Sequence, residues 1–126
     1  MTQKNNILFL EDELEFQTTL TCLLRDLGYQ VIEASSAEQA LTLLNSNIPD
    51  LIIADIKLPG IDGFDFFEKV HTVNHLRSVP FIYLTAYNNL RAAQKAKEDG
   101  ATDYITKPFE LEYLLNRVQE ILPLHR

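Results

Sequence analysis

Four apolar runs in this chain end in residues able to do chemistry. Ile7 to Leu10 leads into Glu11 and Asp12, Leu51 to Ala54 into Asp55, Phe81 to Leu84 into Thr85, and the short run Tyr104 to Thr106 into Lys107. If these runs are parallel strands of one sheet, all five side chains emerge at its carboxyl edge, where open α/β sheets place their ligand sites. Three carboxylates, a hydroxyl and an ammonium would then share a crevice. Carboxylates so placed repel, by roughly 4 kcal/mol for a pair about 4 Å apart at an effective dielectric of about 20. Lys107 offsets one charge. A hard divalent cation offsets more, and Mg²⁺ typically takes one or two carboxylates, waters and a phosphate oxygen. An aspartate beside such an ion is a credible phosphoryl acceptor. The residues therefore suggest a magnesium and phosphoryl site.

The elements that must hold these residues are legible as an alternation of strand-like and helix-like patterns, the signature of a parallel sheet covered on both faces. After Asp12, the spacing of Phe16, Leu20, Leu23, Leu24 and Leu27 predicts a helix that Gly28 stops. Tyr29 to Ala34 reads as the second strand. Ser36 with Gln39 forms a capping box for a helix with the stripe Ala40, Leu41 and Leu44, and Pro49 marks its exit. Leu51 to Ala54 is apolar on both faces, as a central strand should be. The turn formers of Leu58-Pro59-Gly60-Ile61-Asp62-Gly63 precede a helix using Phe64, Phe67 and Val70, and Pro80 opens the fourth strand. Leu90, Ala93 and Ala96 or Lys97 give a thinly apolar, looser fourth helix ending at Gly100. Leu111, Leu114, Leu115, Val118, Ile121 and Leu122 give a strong final one.

A length of 126 residues with 46% hydrophobic content suits one domain with a single well-formed core, residues 1–126, with 1–5 as a polar lead-in and 123–126 as a tail or the start of a linker. The net charge of −7 argues against direct nucleic-acid binding, which needs a basic footprint. The lone Cys22 forms no internal disulfide, and neither a signal peptide nor a long apolar span is visible. No membrane association and a cytoplasmic location are the resulting expectations.

Over its whole length the chain resembles the receiver domain of two-component response regulators. The matching pieces are Glu11-Asp12, the segment Asp55-Ile56-Lys57-Leu58-Pro59-Gly60-Ile61-Asp62-Gly63, Thr85-Ala86 and Lys107-Pro108-Phe109, all in order and at strand ends. The resemblance implies a flavodoxin-like (βα)5 three-layer sandwich, a five-stranded parallel sheet with helices on both faces. It implies phosphorylation of Asp55 by a phosphohistidine donor with Mg²⁺ as cofactor. Asp12 would bind the ion directly, Glu11 largely through water, and Asp55 and the Lys57 backbone carbonyl would complete the set. The family often has Asp where Glu11 stands. The Thr85 hydroxyl would donate to a phosphoryl oxygen, and Lys107 would pair with Asp55 before transfer and with the phosphoryl group after it. Ile56, Lys57, Ala86 and Tyr87 would flank that group, with backbone N–H groups serving as oxyanion donors. Tyr104 would be a rotameric switch moving with Thr85, reshaping the surface around the fourth helix, fifth strand and fifth helix. A cis bond before Pro108 is a further implication. The implied partners are a sensor histidine kinase or histidine phosphotransfer protein and a downstream effector domain or protein, with a phosphorylation-dependent homodimer left open. Arg117 stands on the final helix without the arginine-rich pattern of receivers that dimerise. The module would be a switch, not an enzyme in the ordinary sense, catalysing only its own phosphotransfer and dephosphorylation.

Each residue also has a plainer reading. Asp55 suits a helix N-cap or turn, Thr85 an ordinary strand position, Lys107 a surface lysine and Tyr104 a half-buried strand aromatic. Lys57 and Tyr87 could both extend into solvent. Glu13 and Glu15 look like solvated residues placed well against a helix dipole. His71, His75 and His125 read as surface residues without ligand partners, and Cys22 as a small core or boundary residue. Two other functions share a strand-end site. A haloacid-dehalogenase-like phosphatase carries a second Asp two residues after its nucleophile, where this chain has Lys57. A flavodoxin-like flavin carrier needs a Ser/Thr/Gly-rich phosphate loop after the first strand, where Glu11 and Asp12 would repel phosphate.

Overall fold

A computed structural model describes residues 5–124; most of the polar lead-in, and His125 and Arg126 of the tail, lie outside the described residues. The chain alternates as β1 (Asn6–Leu10), α1 (Leu14–Asp26), β2 (Gln30–Ala34), α2 (Ala37–Leu43), β3 (Leu51–Ala54), α3 (Gly63–His71), β4 (Phe81–Thr85), α4 (Leu90–Asp99), β5 (Asp103–Thr106) and α5 (Leu111–Ile121). All pairings are parallel, in the order β2-β1-β3-β4-β5. The chain steps from β1 to one side for β2 and to the other for β3, so the crevice opens between the carboxyl ends of β1 and β3. There Leu10 pairs with Ala54, placing Glu11 and Asp12 beside Asp55, and Thr85 pairs with Thr106, placing Lys107 one residue further on.

Side chains alternate across the sheet. Ile7, Phe9, Ile53, Ile82 and Leu84 pack under α1 and α5, whereas Leu8, Leu10, Ile52, Phe81 and Tyr83 pack under α2, α3 and α4. Both faces are thus apolar, which accounts for the continuous apolar runs of the central strands. No helix among the described residues is long and apolar enough to cross a membrane.

Several helix faces differ in detail from the periodicity reading. α1 buries Gln17, Leu20, Thr21 and Leu24, with Phe16, Leu23 and Leu27 only partly covered. On α3 the fully buried ring is Phe66, with Phe67 and Val70, while Phe64 packs from the edge. α4 makes its contact through Ala92 and Ala96, leaving Ala93 partly exposed and Leu90 78% exposed; Leu111 on α5 is likewise exposed. Hydropathy marks a helix, but the angle at which it docks selects the buried stripe. The cap of α2 forms from one side only: Ser36 Oγ accepts the Gln39 N–H at 3.1 Å, but Gln39 Oε1 accepts from Ser35 N–H at 2.7 Å instead of from Ser36. Cys22 lies on the exposed face of α1, away from the core.

Replacing the fully buried Phe66 by Ala should cost about 3–5 kcal/mol in urea unfolding, and Leu90→Ala less than about 0.5. Similar losses for the two would mean that α3 and α4 are docked by other faces.

Candidate functional site

Asp55 leaves β3 still held by the ladder, its N–H donating to the Leu10 carbonyl at 3.0 Å. Its side chain is buried, and Oδ1 accepts the N–H of Ile56 at 2.6 Å and of Lys57 at 3.4 Å. Glu11 is fixed more tightly. Its N–H donates to Ala34 O at 3.0 Å, and the buried Gln17 amide donates to both Glu11 O (3.1 Å) and Ala34 O (2.9 Å), stapling the ends of β1 and β2. Glu11 Oε2 accepts from Glu13 N–H at 3.1 Å, and Oε1 meets the Lys107 ammonium at 2.8 Å. Asp12, next in sequence, is exposed and forms the solvent-facing side of the cluster. Oxygens of Glu11, Asp12 and Asp55 lie within 4.8 Å of one another.

Lys107 enters from β5, its N–H bonded to Thr85 O at 2.8 Å, and the following bond to Pro108 is cis. Its ammonium is 3.4 Å from Asp55 Oδ2, so its nearest partner is Glu11 and not the expected Asp55. It also lies 4.4 Å from the centre of the Phe16 ring, which is held edge-on between Phe9 and Phe109. Burial pushes the Glu11 carboxyl up, against the hydrogen bonds from Lys107 and Glu13 N–H. For Lys107, burial pulls the other way but is overcome by the hydrogen bond and charge of Glu11 and by Asp55, so its net shift is upward and it keeps its proton. One ammonium therefore faces three carboxylates. This donor set of hard oxygens, with an open side at Asp12, fits a hard divalent cation such as Mg²⁺.

Thr85 is fully buried, and its hydroxyl accepts the Tyr87 N–H at 3.1 Å. The half-buried Tyr104 donates its hydroxyl to the Tyr87 carbonyl. The peptide groups on both sides of Tyr87 are thus gripped by the two residues expected to act as a switch. The Tyr87 ring is partly buried and carries the Lys57 ammonium 4.8 Å from its centre, so these two side chains meet each other instead of extending separately into solvent. Ile56 is buried and Ala86 exposed beside them. His71 is partly covered, stacked on Phe67 at 3.9 Å with Nδ1 3.0 Å from Phe67 O, which corrects its reading as a plain surface residue; His75 is exposed.

Sequence reasoning missed Gln17 and the role of Phe16. Gln17 was detectable, since it falls three and seven residues before Leu20 and Leu24 on the same helical face. Phe16 as a platform for Lys107 had no local signal, because the contact joins α1 to the end of β5.

Because the carboxylates are under-compensated, Mg²⁺ at 100 times its dissociation constant should raise stability by about 2.7 kcal/mol. Asp12→Ala should remove most of this gain while leaving the metal-free protein at least as stable. Thermal melts with and without Mg²⁺ check both; a parent melting temperature indifferent to Mg²⁺ would rule out the site.

Comparison with known proteins agrees with this geometry. The family model described as the response regulator receiver domain matches residues 7–119. Sporulation initiation phosphotransferase F of Bacillus subtilis is 31% identical over 118 residues, covering 94% of each chain. The transcriptional regulatory protein AfsQ1 of Streptomyces coelicolor is 37% identical over 93% of this chain, which spans only 51% of that protein. Among solved structures, the non-phosphorylated HemR receiver domain of Leptospira biflexa superposes with a TM-score of 0.87 at 32% identity, covering 98% of each chain. The chemotaxis response regulator CheY4 of Vibrio cholerae gives 0.86 at 30% identity, over 96% of this chain and 100% of that one. The phosphatase and flavin-carrier readings are thereby set aside. The chain belongs to the response regulator receiver domains, the signalling switches of two-component systems.

Proposed function

We propose that Asp55 accepts a phosphoryl group from a phosphohistidine of a sensor kinase or histidine phosphotransfer protein, with Mg²⁺ required, and that residues 1–126 act as one receiver unit. An Asp55 carboxylate oxygen attacks phosphorus, the N–P bond of the donor breaks, and the imidazole keeps the electron pair. The observation that carries this reading is the convergence of Lys107 Nζ on Glu11 Oε1 and Asp55 Oδ2 next to the open carboxylate of Asp12. A metal bound by Asp12, Asp55, the Lys57 carbonyl and, through water, Glu11 would neutralise charge on the transferring group. The Lys107 ammonium, the Thr85 hydroxyl and the N–H groups of Lys57 and Ala86 would hold the phosphoryl oxygens. The Thr85 oxygen already accepts from Tyr87, and its own proton is what it would give to phosphate.

Signal then passes through Tyr87. A pull on Thr85 strains the Tyr87 N–H, and the Tyr87 carbonyl is bonded to Tyr104, so the exposed surface of α4, β5 and α5 responds. On that surface Asp103 already holds Arg117 at 2.9 Å and Tyr113 at 3.2 Å, an arrangement that an effector or second copy would read. The matched segment spans 51% of AfsQ1, whose remaining length lies outside the match.

Acetyl phosphate with Mg²⁺ should add a single phosphoryl mass, absent in Asp55→Asn; an equal adduct in that variant would sink the acceptor assignment. The Lys57 ammonium lies 4.8 Å from the centre of the Tyr87 ring, a pair that would cover one approach to the phosphoryl group, and cation–π pairs at exposed sites contribute about 0.5–1 kcal/mol. Removing it in the Lys57→Ala, Tyr87→Ala double variant should therefore speed phosphoryl loss roughly two- to fivefold. Equal half-lives on phosphate-affinity gels would show that the pair does not guard the site.

A further inference from the structure

Helix α3 starts against the backbone of the acceptor itself. Gly63, its first residue, donates its N–H to the Ile56 carbonyl at 2.7 Å, closing the loop that leaves Asp55. A Cβ at Gly63 would lie 2.3 Å from the Asp55 carbonyl oxygen, 2.7 Å from Ile56 Cα and 3.0 Å from the Asp55 carbonyl carbon. All three are main-chain atoms, so no side-chain rotation relieves the overlap. The requirement is for space alone, because Gly63 is not among the glycines with positive φ. Gly60 differs: its φ is +78°, and the atoms nearest its would-be Cβ are the flexible carboxylate end of Glu38.

We propose that Gly63 is a positioning residue of the phosphoryl site. Its missing side chain lets the first turn of α3 seat on the Asp55–Ile56 peptide, and that seating sets the path of the backbone through Ile56 and Lys57. These two residues supply the N–H groups that orient Asp55 Oδ1, and Lys57 supplies the carbonyl assigned above to the metal. Restoring ordinary contact of 3.4 Å around an alanine would take a shift of about 1 Å. A displacement of that size where three carboxylates converge within 4.8 Å turns donors away from a small ion that demands near-ideal geometry. The metal part of the inference rests on the Mg²⁺ reading; the backbone part does not.

The test compares the parent, Gly63→Ala and Phe66→Leu, the last loosening α3 without touching the Asp55 backbone. In metal-free protein, the amide resonances of Ile56 and Lys57 should move in Gly63→Ala and stay near their parent positions in Phe66→Leu. Calorimetric titration should show Mg²⁺ binding weakened about 10- to 100-fold by Gly63→Ala and unchanged by Phe66→Leu. Unmoved amides with parent-like Mg²⁺ affinity in Gly63→Ala would overturn the proposal, as would equal losses of affinity in both variants. A parent that binds no Mg²⁺ while Gly63→Ala still shifts the amides would remove the metal reading and leave the positioning role standing. Should Gly63→Ala not fold, hydrogen exchange in the parent decides: a Gly63 amide protected like those of β3 supports the seating, and one exchanging freely overturns it.

Discussion

The interaction on which the site depends is the charge balance at the carboxyl edge of the sheet, where one lysine faces three carboxylates. Lys107 approaches Glu11 at 2.8 Å and Asp55 at 3.4 Å, and the face of Phe16 lies 4.4 Å beneath its ammonium. Burial strengthens each of these attractions and also raises the cost of leaving any one charge unmatched. The balance is left incomplete on the side of Asp12. Under the proposed function, that deficit is what would draw in a divalent cation and a phosphoryl group, whose negative oxygens would take over partners that now serve carboxylates.

The rest of the fold can be understood as what keeps these charges together. Parallel pairing brings the ends of β1, β3, β4 and β5 to one edge, and apolar packing on both faces makes that edge stiff. Glu11 is further pinned by the Gln17 amide, which bonds the Glu11 carbonyl just past β1 and the last carbonyl of β2. Stiffness on this side contrasts with the side of Thr85. There Thr85, Tyr87 and Tyr104 are joined by single hydrogen bonds, and α4 buries two small residues, Ala92 and Ala96. In the proposed function, a change of charge at Asp55 would meet less resistance in that direction.

Much of this was decided by sequence. Apolar runs of strand length, each followed by a helical period and broken by Gly or Pro, determine a parallel α/β sheet because few other arrangements bury both faces of such strands. Since reactive residues stand directly after the runs, parallel pairing alone carries Glu11, Asp12, Asp55, Thr85 and Lys107 to one edge. These features are local, and local patterns are what a sequence displays. The tertiary structure decided everything that depends on the docking of one element against another. It chose Phe66 over Phe64 as the buried ring of α3 and left Leu90 in solvent, because the tilt of a helix selects its stripe. It gave Lys107 to Glu11 before Asp55, set it over Phe16, and joined Lys57 to Tyr87, since each contact unites residues far apart in the chain. It also turned Gly63 from a turn former into a residue defined by the space it does not fill, a property that exists only once α3 rests on the backbone of Asp55.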